Sequence, residues 1–117
     1  MAFAATANPA KAKAFYAGTL GLRLVADDGF ALVFDVHGTM LRVTTVQKVA
    51  VAPYTVLGWQ VDDIAAAAAE LKAAGVEFQR YPGMQQDALG IWDAPGGAAR
   101  VAWFQDPDGN ILSISQH

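Results

Sequence analysis

Gly21 and Gly75 constrain this chain most. Each closes a helix-patterned segment, each is followed at once by a strand-patterned one, and they stand 54 positions apart. Glycine at the end of a helix takes the left-handed conformation that stops it. Upstream of Gly21, Asn8 and Pro9 mark a helix start, since Asn caps and Pro fits the first helical turn. Ala12, Phe15, Tyr16 and Leu20 then recur at helical spacing over Ala10 to Leu20. Leu22 to Val25, Phe30 to Val36 and Met40 to Val46 read as strands, separated by turns at Asp27-Asp28-Gly29 and His37-Gly38. The second half repeats the order. Thr55 to Val61 reads as a strand, and Asp62-Asp63 caps an alanine-rich helix over Ile64 to Ala74. Val76 to Tyr81, Ala98 to Phe104 and Ile111 to Ser115 read as strands, with a long loop from Pro82 to Gly97.

Strand, helix and three strands, given twice, predict an α+β fold of two βαβββ modules. Module one spans about residues 1–50 and module two about 51–117, in one domain covering 1–117. Two helices serving about eight strands with short hairpin turns argue for a mainly antiparallel sheet rather than a doubly wound parallel one. Two copies are too few for a solenoid.

Composition narrows the function. The chain is 54% hydrophobic and 16% charged, which excludes disorder and leaves apolar surface for a ligand or a second copy. A net charge of −3 argues against nucleic acid as a partner. The absence of cysteine removes disulfides, zinc–thiolate sites and thiol nucleophiles. No apolar run reaches the roughly 20 residues of a membrane span. The opening stretch to Phe15 lacks the charged, apolar and cleavage order of a signal peptide, so the expected compartment is the cytoplasm.

Three segments carry a resemblance to a known family. They are Phe15-Tyr16 with Leu20-Gly21-Leu22, then Trp59-Gln60-Val61-Asp62-Asp63-Ile64, then Trp103-Phe104-Gln105-Asp106-Pro107-Asp108-Gly109-Asn110. In order and spacing they resemble the vicinal oxygen chelate superfamily, which includes glyoxalase I, bleomycin-resistance proteins and extradiol dioxygenases. The stretch from Gly90-Ile91-Trp92-Asp93 to Trp103-Phe104 is similar to a bacterial glyoxalase-like branch. The resemblance implies paired modules whose sheets curl around a cleft, and a homodimer.

It also implies four positions where metal-using members place their ligands, one in the first and one in the last strand of each module. In this chain they fall on Met1 or Ala2, Arg42, Val56 and Ser113. None offers an imidazole or a carboxylate, and Arg42 would repel a cation. The expectation is therefore no metal and no cofactor. The predicted function is a metal-free small-molecule-binding protein of the glyoxalase/bleomycin-resistance type, sequestering a drug or metabolite. The alternative is a lyase or dioxygenase-like enzyme with a non-standard site, for which His37, Asp87 and Asp93 are the acid–base candidates. No residue is assigned as catalytic.

The predicted cleft comprises Arg42, Thr44, Val56, Trp59, Trp92, Trp103 and Ser113. Alternation puts Arg42 on one face with Met40 and Thr44, away from Leu41 and Val43. There it is either an anion clamp or a surface or interface salt bridge. Trp59 sits at a motif position that usually packs. Trp92 lies in the Met84 to Gly97 loop, where it either closes over a ligand or packs on its own loop. Asp106, Asp108 and Asn110 alternate like the start of a calcium loop but lack its downstream Glu, and read as a turn. His37 reads as an exposed hairpin residue, with the general-base role as its alternative.

Overall fold

A computed structural model describes residues 1–117. Module one contains β1 (Ala2–Thr6), α1 (Pro9–Lys13), β2 (Arg23–Asp27), β3 (Ala31–Val36) and β4 (Thr39–Thr45). Module two contains β5 (Thr55–Gln60), α2 (Ile64–Ala73), β6 (Trp92–Asp93), β7 (Arg100–Gln105) and β8 (Ile111–Gln116). Sheet A has the order β1-β4-β3-β2, and sheet B the order β5-β8-β7-β6. In each, the first strand runs parallel to the last and the other pairings are antiparallel. The fold is α+β, with two βαβββ-like modules and open sheets.

The local signals act as expected at both helix starts. Asn8 accepts a hydrogen bond from the Lys11 amide and Asp63 one from the Ala66 amide. Gly21 and Gly75 adopt φ of 68° and 103°, a region closed to most side chains. The first helix is not uniform, however. After Lys13 it widens into a π-helical segment, Ala14–Thr19, which carries half-buried Phe15 and fully buried Tyr16 with their rings edge to face at 5.3 Å.

Alternation along each strand gives the sheets a covered and an open face. Leu41 and Val43 of β4, Phe34 of β3, and Leu112 and Ile114 of β8 are buried on the covered faces. One core forms from both modules, with Tyr16 and Phe34 from the first and Phe104 and Ile114 from the second. The Phe104 ring lies 6.0 Å from Trp59, 5.8 Å from Phe78 and 6.4 Å from Phe15.

The Asp106–Asn110 segment is the turn that its sequence predicts, and it also ties the modules together. Buried Asp106 accepts hydrogen bonds from the Tyr16 hydroxyl, the Asn110 side-chain amide and the backbone amides of Asp108 and Asn110. Asn110 also donates to the Ala5 carbonyl, and the Ala7 amide donates to Asp108.

Burial, then the negative charge and hydrogen bond of Asp106, hold the Tyr16 hydroxyl far above its ordinary range. An unfolded tyrosine ionises near pH ~10. Above that pH the unfolded chain releases a proton that the folded chain retains, so stability is complete below about 10 and falls as pH rises. Urea titrations from pH 9 to 11.5 should show Tyr16→Phe losing less stability per pH unit than wild type, by up to about 1.4 kcal/mol per unit. Parallel alkaline curves would show that Tyr16 does not carry this dependence.

Two expectations are corrected. Val76 to Tyr81 forms no ladder strand; only Phe78 bridges to Phe104. The Gln86 side chain occupies the backbone groups that a ladder would need, donating to the Gln79 carbonyl and accepting from the Tyr81 amide. The edge of sheet B is instead β6, which lies inside the segment expected to be loop and pairs Trp92 with Val101 and Asp93 with Arg100. Asp87 braces that segment by accepting from the Leu89 and Ile91 amides. No helix is long and apolar enough to cross a membrane.

Candidate functional site

The open faces of the two sheets are built on matching rungs. In sheet A, Arg42 of β4 lies between Phe3 of β1 and Val33 of β3. In sheet B, Ser113 of β8 lies between Gly58 of β5 and Trp103 of β7. The sequence reading put the first-strand positions at Met1 or Ala2 and at Val56. In the sheet register Phe3 lies opposite Arg42 and Gly58 opposite Ser113. Ala2 pairs with buried Leu41, and Val56 falls at the irregularity between Thr55 and Leu57.

The predicted cleft residues divide accordingly. Arg42 and Thr44 share the open face of sheet A. Ser113, Trp103 and Trp92 share that of sheet B, because Trp92 pairs with Val101, two residues from Trp103. Val56 is half-buried against the core. Trp59 lies on the covered face, since it pairs with buried Ile114 and packs edge-on against Phe104, and it therefore leaves the set. No larger cavity is lined by open-face residues of both sheets.

On sheet A, Arg42 makes no ion pair within 4.0 Å. The Asp28 carboxyl is held below its usual range by the amides of Phe30 and Ala31, with Arg42 adding a smaller attraction. Arg42 thus presents a guanidinium with no bound carboxylate beside exposed Phe3.

On sheet B the surface is aromatic. Trp103 meets Tyr81 edge-on at 5.7 Å and Trp92 at 6.0 Å. Beside them is a cavity of about 270 Å³, walled by Tyr54, Tyr81, Met84, Trp103 and Ile111. A larger cavity of about 490 Å³ lies beside the end of α2, with Lys72, Phe78 and Arg80 in its wall, away from both open faces. Sequence reasoning missed Gly58. A glycine inside a strand marks a close approach, and that signal was present. A Cβ there would press against Ser113 Oγ.

The acid–base candidates do not converge. His37 sits in the β3–β4 turn with φ of 49° and stacks on Trp59 at 6.4 Å. Asp93 pairs with Arg100 at 2.9 Å, and Asp87 lies 4.0 Å from the same guanidinium. The chain holds no group of three or more His, Cys, Asp or Glu side chains placed to bind a metal ion. The expected ligand positions Met1 or Ala2, Arg42, Val56 and Ser113, and the rung partners Phe3 and Gly58, offer no imidazole or carboxylate to a divalent cation.

The model of the Glyoxalase/Bleomycin resistance protein/Dioxygenase superfamily matches residues 2–114. No curated protein sequence matches the chain. Among solved structures, it is similar to an integron cassette protein from the mobile metagenome of the Halifax Harbour sewage outfall. That match has 18% identity and a TM-score of 0.76, covering 98% of this chain and 94% of the other. A fosfomycin resistance protein from Listeria monocytogenes matches at 14% identity and a TM-score of 0.77, covering 99% and 89%. A lactoylglutathione lyase from Agrobacterium tumefaciens matches at 17% identity and a TM-score of 0.74, covering 97% and 89%. At these identities the likeness establishes the fold.

Proposed function

The chain belongs to the glyoxalase/bleomycin-resistance/dioxygenase superfamily, and from that premise we propose that it binds a small molecule without using a divalent metal. The observation that carries this reading is the pair of rungs Phe3–Arg42–Val33 and Gly58–Ser113–Trp103, neither of which includes a carboxylate or imidazole. The two rungs present aromatic side chains, a hydroxyl and one cation, the materials of a ligand site. Sequestration of a drug or metabolite in the cytoplasm is the corresponding role.

Arg42 serves as the anion clamp. Its fixed charge and forked donors suit a carboxylate or phosphate. Arg42→Ala should weaken an anionic ligand by about 2 kcal/mol, the scale of a hydrogen bond to a charged group. Calorimetry with a bound anion would check this, and an unchanged affinity would remove Arg42 from the site. The functional unit in this reading is a homodimer. Phe3 is 62% exposed and Met1 70%, an apolar surface at the sheet A edge that a second copy would cover.

A native mass spectrum with metal analysis of the purified protein tests the reading. The expected result is a dimer without stoichiometric metal that retains or takes up a small molecule. Near-stoichiometric nickel, zinc, iron or manganese, with activity lost on chelation, would overturn it.

A further inference from the structure

We infer that the open face of sheet B is a site for an uncharged planar aromatic or heteroaromatic ring, seated over the Gly58–Ser113 step against Trp103. The inference rests on the proposed small-molecule role and names the class of ligand. Across the rung from β5 to β7 the side chains rise from none, through a hydroxyl, to an indole. The Trp103 indole thus stands as an aromatic wall on the β7 side of the low Gly58–Ser113 step. Gly58 leaves room for the Ser113 hydroxyl, because an added Cβ would press on Ser113 Oγ and turn it away.

Ring planes suit this wall better than aliphatic chains do. Aromatic faces attract one another in offset or edge-on geometry, beyond the burial of area. Trp103 is flanked by Tyr81 and Trp92, which hold it in an aromatic row, while exposed Tyr54 lines the adjoining cavity. That cavity, about 270 Å³, lies just below the 300–1,000 Å³ of drug-sized pockets and suits one fused ring system.

The ligand's charge follows from the same strands. Gln60 of β5, Ile111, Ser113 and Ser115 of β8, Val101, Trp103 and Gln105 of β7, and Trp92 of β6 share this face with Gly58, and none of them is charged. Ser113, 9% exposed, carries a hydroxyl that can donate or accept a hydrogen bond at a ring edge. A neutral ring with one polar edge atom satisfies all three conditions.

The test uses 2-naphthol as probe, with decahydro-2-naphthol as a saturated counterpart bearing the same hydroxyl. Nuclear magnetic resonance of the three tryptophan indole N–H groups reports where each binds. Trp92 and Trp103 lie on the proposed face, and Trp59 on the other serves as an internal reference. 2-Naphthol should shift the Trp92 and Trp103 signals and leave Trp59 in place, and the saturated alcohol should bind about tenfold more weakly. Gly58→Ala should weaken 2-naphthol about tenfold, and Trp103→Leu similarly, whereas Trp103→Phe should retain most of the binding. If Trp103→Leu does not fold, Trp92→Leu takes its place. Equal binding of the two alcohols, no binding of 2-naphthol, or shifts confined to Trp59 would overturn the inference. Equal binding at Trp103 would leave the broader small-molecule reading standing, and stoichiometric metal would remove that reading independently of the tryptophan shifts.

Discussion

Asp106→Ala is expected to cost about 3–5 kcal/mol of folding stability, a large share of the roughly 5–15 kcal/mol that a domain commands. The carboxylate accepts from Tyr16, Asn110 and two backbone amides, and both side-chain partners are themselves buried. Removing it strands several donors away from water, at about 1–3 kcal/mol for each buried group left unsatisfied, though not additively. Asp106→Asn keeps one acceptor oxygen and should fall between wild type and alanine. Urea unfolding at pH 7 measures the difference; a loss under about 1 kcal/mol for alanine would mean that water replaces the lost oxygens and that the tie is unimportant.

Phe104→Ala should cost a similar amount, about 3–5 kcal/mol, the range for an aromatic removed from a packed core. Its ring is fully buried among Phe15, Trp59 and Phe78, which come from three separate stretches of chain and cannot all collapse into the void. The neighbouring residue should behave in the opposite way. Trp103 points to the open face, so replacing it should change ligand affinity far more than stability. Thermal denaturation of Phe104→Ala beside Trp103→Phe separates the two roles. Equal destabilisation by both would contradict the assignment of faces.

Much of the fold was legible because its signals are local. Asn8, Asp63, Gly21 and Gly75 each act within a few residues, and each does in the structure what its chemistry predicts. The apolar alternation of Val76 to Tyr81 misled because it says nothing about who occupies the backbone; Gln86, outside the pattern, had already taken those groups. Strand β6 was invisible because two residues are too short to show a period. Within the candidate site, the faces of Arg42, Thr44 and Ser113 follow from simple alternation. Trp59 needed the register, which sets it beside Ile114 and away from Ser113. The tie made by Asp106 was unreadable for a different reason: its partner Tyr16 is 90 residues away, and nothing local marks the pair.

That separation shapes how the chain reaches its native state. A ribosome delivers Tyr16, Ala5 and Ala7 long before the turn that satisfies them. The first module therefore emerges with a bare hydroxyl, an open core face and unclaimed amides. Closing so long a loop costs entropy before any contact repays it, which slows folding and prolongs the life of partly formed species. The two halves share one core instead of owning one each, so the repeat visible in the sequence is not a repeat of independently folding units. Sheet B is complete only once β8, Ile111–Gln116, has paired with both β5 and β7, and the shared core can close no earlier than that.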